Sequence, residues 1–377
     1  MMQGKLDLAP THAVLSASSA HRWLKCPASI KASEGIEDTS SAAAEEGTAG
    51  HELAEQCLRE GIDPDHLLGE TFNGYEVTRE MASMVSVYVD YCRSLPKERV
   101  YIERRLDYSM WAEGGFGTAD YLAIAYRGGE AHLVDLKMGR TPVAADCDQL
   151  KCYALGVHNE FGFDAQIDTY HMTIVQPRLN SIETHTMRGK DLLRWGKDVL
   201  IPGAEAALSD NAEYAPGESQ CRFCRAADRC RALSDHVHQQ VGSFKDLTKP
   251  DELTTSELAD VLPQLNLIKS WCDKVSKYAE QLAMNGEEID GYKLVEARTI
   301  RRWSDEDEAI RVMGLLTNEP VYSRKPISPT KALAMLGDEC DDVNALITKP
   351  KGHATLVKNS DRRSAMEIDH GFQVIED

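Results

Sequence analysis

The sequence predicts an α/β fold in which a mixed central sheet is flanked by helices. Three β-rich runs lie close together between residues 100 and 137: YIERRLDYSM, GTADYLAIAY and EAHLVDLK. Helix-patterned stretches stand on both sides of them, and two more strand-like runs, AQIDTYHMTIVQ and SIETHTM, follow. Helices alternating with strands in this order make a layered α/β domain.

Residues 13–30, which include LSASSAHRWLKCPAS, read as a short helical opening with Ser16 or Ser18 as its cap. The small polar stretch SEGIEDTSSAAAEEGTAG reads as a loop that runs into a helix over about 45–59. His51 follows GTAG near the start of that helix, with Glu55 one turn on. Further helices are expected over about 77–94, 144–160 and 190–208, and PRLN joins the last two strands. The stretch SFKDLTKPDELTTS (243–256) reads as a linker. It divides a domain over 1–245 from a smaller α+β region over 246–377, with a helix over about 255–284, a strand-like GYKLVEARTIRRW, and short helices around DEDEAIRVMGLL and SPTKALAMLG.

A chain of 377 residues that is 42% hydrophobic can bury a substantial core. The first residues show neither a long apolar run nor a cleavage pattern, and no stretch approaches a membrane span, so a cytoplasmic protein is expected. The formal charge of −19 argues against a protein coated in nucleic-acid-binding charge, although Arg222, Arg225, Arg229 and Arg231 form a local basic stretch.

The chemistry concentrates in GTADYLAIAYRGGEAHLVDLK. With Gly128-Gly129 as a two-residue turn, Arg127 pairs with Glu130, Asp120 falls opposite Lys137, and Leu122 opposite Asp135. Side chains alternate with period two, so Asp120, Asp135 and Lys137 project from one face. Two carboxylates and an ammonium at a strand end suit phosphodiester hydrolysis, which uses Mg²⁺ or Mn²⁺ on hard oxygen ligands. Gln149 and Tyr153 stand one helical turn apart on the next helix. An imidazole at His51 completes a metal shell, and Glu103 is a further acidic candidate.

Of ten cysteines, Cys221, Cys224 and Cys230 lie together in CRFCRAADRC, and Cys26 lies far upstream in WLKCPAS. The other six (Cys57, Cys92, Cys147, Cys152, Cys272, Cys340) read as small buried hydrophobes or inert thiols. In a reducing compartment such a cluster holds a metal in preference to a disulfide, and four thiolates suit either zinc or a [4Fe–4S] cluster.

The motifs GTAGH (47–51), GTAD (117–120), DLK (135–137) and QLKCY (149–153), in that order, resemble the RecB-type branch of the PD-(D/E)XK nuclease superfamily. The resemblance spans roughly residues 13–235. It implies a restriction-endonuclease-like core, with the catalytic Mg²⁺ or Mn²⁺ held by His51, Asp120, Asp135 and the Leu136 carbonyl. Lys137 would be the catalytic lysine, and Gln149 and Tyr153 would contact DNA or support the site. The layout of one early cysteine and three late ones resembles the iron–sulfur members of that branch, the AddB-type and CRISPR-associated nucleases. It implies that Cys26, Cys221, Cys224 and Cys230 hold a [4Fe–4S] cluster, with zinc as the runner-up. The strings GYKLVEARTIRRW (291–303) and TLVKNSDRR (355–363) resemble an uncharacterised, largely phage-encoded family. The expected function is a DNA exonuclease of phage recombination or end processing in a bacterial host cell, partnered by a single-strand annealing or binding protein. No G-x-x-x-x-G-K-[ST] motif is present, so strand separation would come from elsewhere. The alternative is a non-catalytic nucleic-acid-binding or assembly protein that keeps a structural metal.

Overall fold

A computed structural model describes residues 13–37, 41–162, 166–243 and 253–292. The chain divides into two compact units, Met1–Arg302 and Trp303–Asp377, and every described residue belongs to the first. The strand and short helices expected beyond residue 292, and the middle of the expected linker, lie outside the described residues.

Short helices α1 (Ala20–Trp23) and α2 (Ser29–Ala32) open the fold, followed by the long α3 (Ala42–Glu60). A small hairpin, β1 (Thr71–Phe72) and β2 (Tyr75–Glu76), leads to α4 (Arg79–Ser94). Then come β3 (Arg99–Asp107), β4 (Phe116–Ala125), β5 (Glu130–Leu136), α5 (Asp148–Phe161), β6 (Thr169–Gln176) and β7 (Ser181–Arg188). Helices α6 (Gly189–Trp195) and α7 (Ile201–Leu208) are joined by a π-helical turn at Gly196–Leu200, within the single helix read from sequence. The cysteine segment carries α8 (Glu218–Arg222) and α9 (Arg231–Ser243), and α10 (Thr255–Met284) closes the described chain.

The sheet has five strands in the order β3-β4-β5-β6-β7. β3, β4 and β5 form an antiparallel meander; β6 runs parallel to β5 after the α5 crossover; β7 returns antiparallel. This is the expected mixed α/β architecture. Alternation sorts the two faces. Leu122, Ile124, Ala131 and Leu133 pack with Leu150, Tyr153 and Leu155 of α5, with Trp23 and with Leu192. Tyr121, Ala123, Val134 and Leu136 pack on the other face with Leu53 and Cys57 of α3 and with Val85, Tyr88 and Val89 of α4.

Two local expectations are corrected. The β4–β5 turn has four residues, not two: Ala125 pairs with Glu130, and Tyr126–Gly129 forms the turn, with Gly129 at φ +63°. The shift of two residues leaves every side chain on its expected face, because the pleat repeats every two. It also sets Leu133, and not Asp135, across from Leu122. The second correction is to α3. It begins at Ala42, where the Ser41 side chain accepts the Ala44 amide, so the Ala42–Ala44 run is helical rather than loop. His51 therefore sits in the body of the helix, not at its start. Gly50 permits this placement, since a Cβ there would stand 3.1 Å from Met138 Cε, just past the D-x-K triplet.

Helix α10, read from sequence as the opening of the second region, packs against α8 and α9. Its Leu267 joins Cys221, Ala227, Leu233 and Val237 in a small core. No helix among the described residues is long and apolar enough to cross a membrane.

Candidate metal centre

Three neighbouring strands each carry an acidic candidate: Glu103 on β3, Asp120 on β4 and Asp135 on β5. Glu103 interrupts the β3–β4 ladder between the Ile102–Tyr121 and Arg104–Ala119 pairs, at φ +50°. A non-glycine residue in the left-handed region inside a strand is strained, and such strain collects at functional sites. Here it accompanies a carboxylate close to Asp120 and His51: the ligand atoms of His51, Glu103 and Asp120 all lie within 4.8 Å of one another.

β4 and β5 part at this point. The last paired residues are Tyr121 and Val134, and beyond them the Asp120 side chain accepts the Leu136 amide at 2.8 Å. The carboxylate thus takes over a bond that the ladder would otherwise supply. Leu136 meets the site through that amide. His51 Nδ1 approaches the same Asp120 oxygen to 3.3 Å from α3.

Asp135 is fully buried and belongs to a second set of contacts. Lys137 Nζ lies 2.7 Å from its Oδ2, and the Gln149 amide donates to its Oδ1 at 2.8 Å. Gln149 also accepts from Lys137 at 3.2 Å and donates to the Tyr153 hydroxyl at 3.1 Å. Gln149 is therefore the hub that orients the aspartate, the lysine and the tyrosine. Tyr153 reaches it because Gly117, of GTAD, leaves room: a Cβ at 117 would sit 2.6 Å from the Tyr153 ring. The glycine of the second motif and the tyrosine of the last are one packing unit.

The charges are mutually dependent. Burial alone would lower the His51 imidazole, but the Asp120 and Asp135 carboxylates outweigh it and hold the pKa up at about 9. Burial, and then Asp120 beside it, push Glu103 up to about 7. Asp120 stays below the usual carboxylate range, since His51 and Lys137 overcome its desolvation. Asp135 lies above that range because desolvation exceeds the attraction of Lys137. Lys137 is held above the ordinary lysine value by Asp135 and Asp120 in spite of burial.

The four singled-out cysteines also converge. Cys26, Cys221, Cys224 and Cys230 line one small cavity with Ser29, Tyr214 and Leu233. Each sulfur has a polar neighbour. The amides of Ala215, Gly217 and Leu233 approach Cys26, Cys221 and Cys230 at 3.4 Å, and the Ser33 hydroxyl lies 3.9 Å from Cys224. Of the remaining cysteines, Cys57, Cys92 and Cys152 are buried and Cys147 half-buried, as expected; Cys272 is exposed, and Cys340 lies outside the described residues. The expected basic stretch is mostly spent. Arg229 pairs with Asp228 and Arg231 with Asp235, while Arg225 donates to the Ile36 carbonyl and Arg222 to Thr141.

Residues 12–364 match the family described as a protein of unknown function (DUF2800). The chain belongs to that family. The match covers the sheet, the carboxylate end and all four convergent cysteines, so both constellations of this DUF2800 chain lie within the family region.

Sequence reasoning ranked Glu103 below Asp135 as a ligand because nothing in the string marks a strand residue with positive φ. One set of side chains went unnoticed altogether: Glu130, His132 and His171, whose ligand atoms also lie within 4.8 Å of one another. Its signal is a histidine near the start of each of two strands, visible only once β5 and β6 are paired.

Proposed function

We propose that this chain is a metal-dependent DNA nuclease of the RecB-type PD-(D/E)XK kind, acting as an exonuclease in recombination or DNA end processing. The observation that carries the reading is the convergence of the His51, Glu103 and Asp120 ligand atoms within 4.8 Å of one another, with Asp135 on the next strand beside a lysine 2.7 Å away.

The donor set fits a hard divalent cation. It is rich in carboxylate oxygen, and the fully buried Asp135 carboxylate is balanced by the Lys137 ammonium at 2.7 Å. Mg²⁺ or Mn²⁺ would be held by His51, Asp120 and Asp135, with Glu103 beside the first two; the Leu136 carbonyl is a ligand only by the resemblance. Bound there, the ion would supply Lewis acidity and lower the pKa of its water.

The chain's own groups divide the remaining work. Lys137, charged and half-buried, offsets negative charge that develops on a phosphoryl group. Gln149 fixes that ammonium and the Asp135 carboxylate in one orientation. Tyr153 accepts from Gln149 and stays protonated, because burial, and then Asp135, hold it well above the ordinary phenol value. Its own proton is left to donate to a phosphate or to backbone.

The cysteines support a [4Fe–4S] cluster. N–H···S bonds are the second-shell contacts of thiolate ligands. All four thiols line one cavity, and the layout of one early and three late cysteines is the basis for preferring the cluster to zinc. The cluster would tie α1–α2 to the segment after α7, closing the loop that contains the whole sheet. The setting that goes with this reading is phage recombination in a bacterial cytoplasm, with DNA as substrate and a single-strand annealing or binding protein as partner. Release of nucleotides from end-labelled single- and double-stranded DNA in Mg²⁺ or Mn²⁺, stopped by EDTA, tests it.

A further inference from the structure

We infer that Glu130, His132 and His171 form a second cation site, of the transition-metal type, on the opposite face of the sheet from Asp135. Glu130 and His132 lie on β5 and His171 on β6, where His132 and His171 are register partners. His132 Nε2 stands 3.7 Å and His171 Nε2 3.9 Å from Glu130 Oε2.

Three features separate this group from a chance surface cluster. His132 is buried, and its Nε2 has no hydrogen-bond partner, which is costly for a ring nitrogen without a ligand. His171 is oriented from behind, with Nδ1 2.9 Å from the Thr186 hydroxyl. That contact holds Nε2 towards the cluster, as second-shell partners do for metal-binding histidines. The two imidazoles also lie nearly parallel, with centroids 4.5 Å apart and planes at 14°.

Two imidazoles and one carboxylate select Zn²⁺ and its neighbours over Mg²⁺. They leave coordination positions open to water. Ring nitrogens about 2.0–2.1 Å from zinc require the two rings to tilt towards each other about χ2, a soft torsion for imidazole. The site is about 10 Å along β5 from Asp135, three residues at strand rise, and the pleat puts it on the other face. It is thus chemically and spatially separate from the carboxylate end, and it does not depend on nuclease activity. A zinc here would clamp the parallel β5–β6 pair.

The test is zinc uptake by the full-length protein, purified without oxygen, in excess Mg²⁺, read by equilibrium dialysis with metal analysis and by thermal melting. Wild type is compared with Glu130→Gln, His171→Asn and Asp120→Ala. The first two substitutions alter partly exposed side chains, and equal melting temperatures in chelator verify that they fold. The expected result is one zinc on wild type and on Asp120→Ala, bound at least about tenfold more weakly by Glu130→Gln and His171→Asn, with zinc raising the melting temperature only of the first two. Zinc held equally by all four proteins, lost only from Asp120→Ala, or absent from wild type at micromolar concentrations would overturn the assignment.

Discussion

Gly117 and Tyr153 are in such close apposition that no side chain fits between them. A Cβ on Gly117 would stand 2.6 Å from the ring and 3.1 Å from Ala17 on the other side. The ring is buried and cannot swing aside. Gly117→Ala should therefore destabilise the protein by about 1–3 kcal/mol, the usual cost of overpacking. It should also cut the proposed nuclease activity, because Tyr153 moves away from Gln149. Chemical denaturation and digestion assays on the same preparation check both effects.

Gln149→Ala removes the hub that bonds Asp135, Lys137 and Tyr153 at once. The expected effect is a fall in kcat of about 10–100-fold, the range for loss of a residue that orients metal ligands. KM should change little, since the reacting phosphate is not the partner lost. A rise in KM alone would mark Gln149 as a DNA contact instead.

Cys224→Ser, purified without oxygen, should lose the iron and sulfide of the wild type. The melting temperature should drop by roughly 5–15 °C, the equivalent of a few kcal/mol in a unit of this size. Elemental analysis and thermal melting report the two outcomes. Loss of stability with zinc in place of iron would favour the runner-up cofactor.

His158 gives a pH dependence. Burial holds its pKa below 6.5, and its Nδ1 lies 2.8 Å from the Tyr170 hydroxyl. A group depressed in the folded state stabilises above its unfolded pKa, and that stability is lost as pH falls through the folded value. The melting temperature should therefore decline below about pH 6.5. His158→Gln should show a shallower decline in the same window.

Much of the fold was legible because strong patterns set it. The five strands are β-rich runs bounded by turn residues, and α10 is read over the residues it occupies, Thr255–Met284. The hairpin face survived an error in its turn, because a two-residue slip preserves parity. What sequence did not reveal depends on three-dimensional placement. The start of α3 was hidden by a polar, small-residue composition that also suits loops. The strained φ of Glu103, the parting of β4 from β5 at Asp120, and the pairing of His132 with His171 leave no trace in local spacing. The cysteines were legible in another way: a layout of one early and three late cysteines, not any secondary structure, connected Cys26 to a cluster almost two hundred residues later.

The most direct test of the central claim is the rate at which Asp135→Ala, beside wild type, releases nucleotides from labelled DNA in Mn²⁺, with both proteins purified without oxygen and matched in iron content. The account predicts metal-dependent release by wild type and a loss of about 10³-fold or more in the variant, since Asp135 is both a proposed ligand and the partner of Lys137. Equal rates for the two proteins, or no release by a fully iron-loaded wild type on either single- or double-stranded substrate, would contradict it.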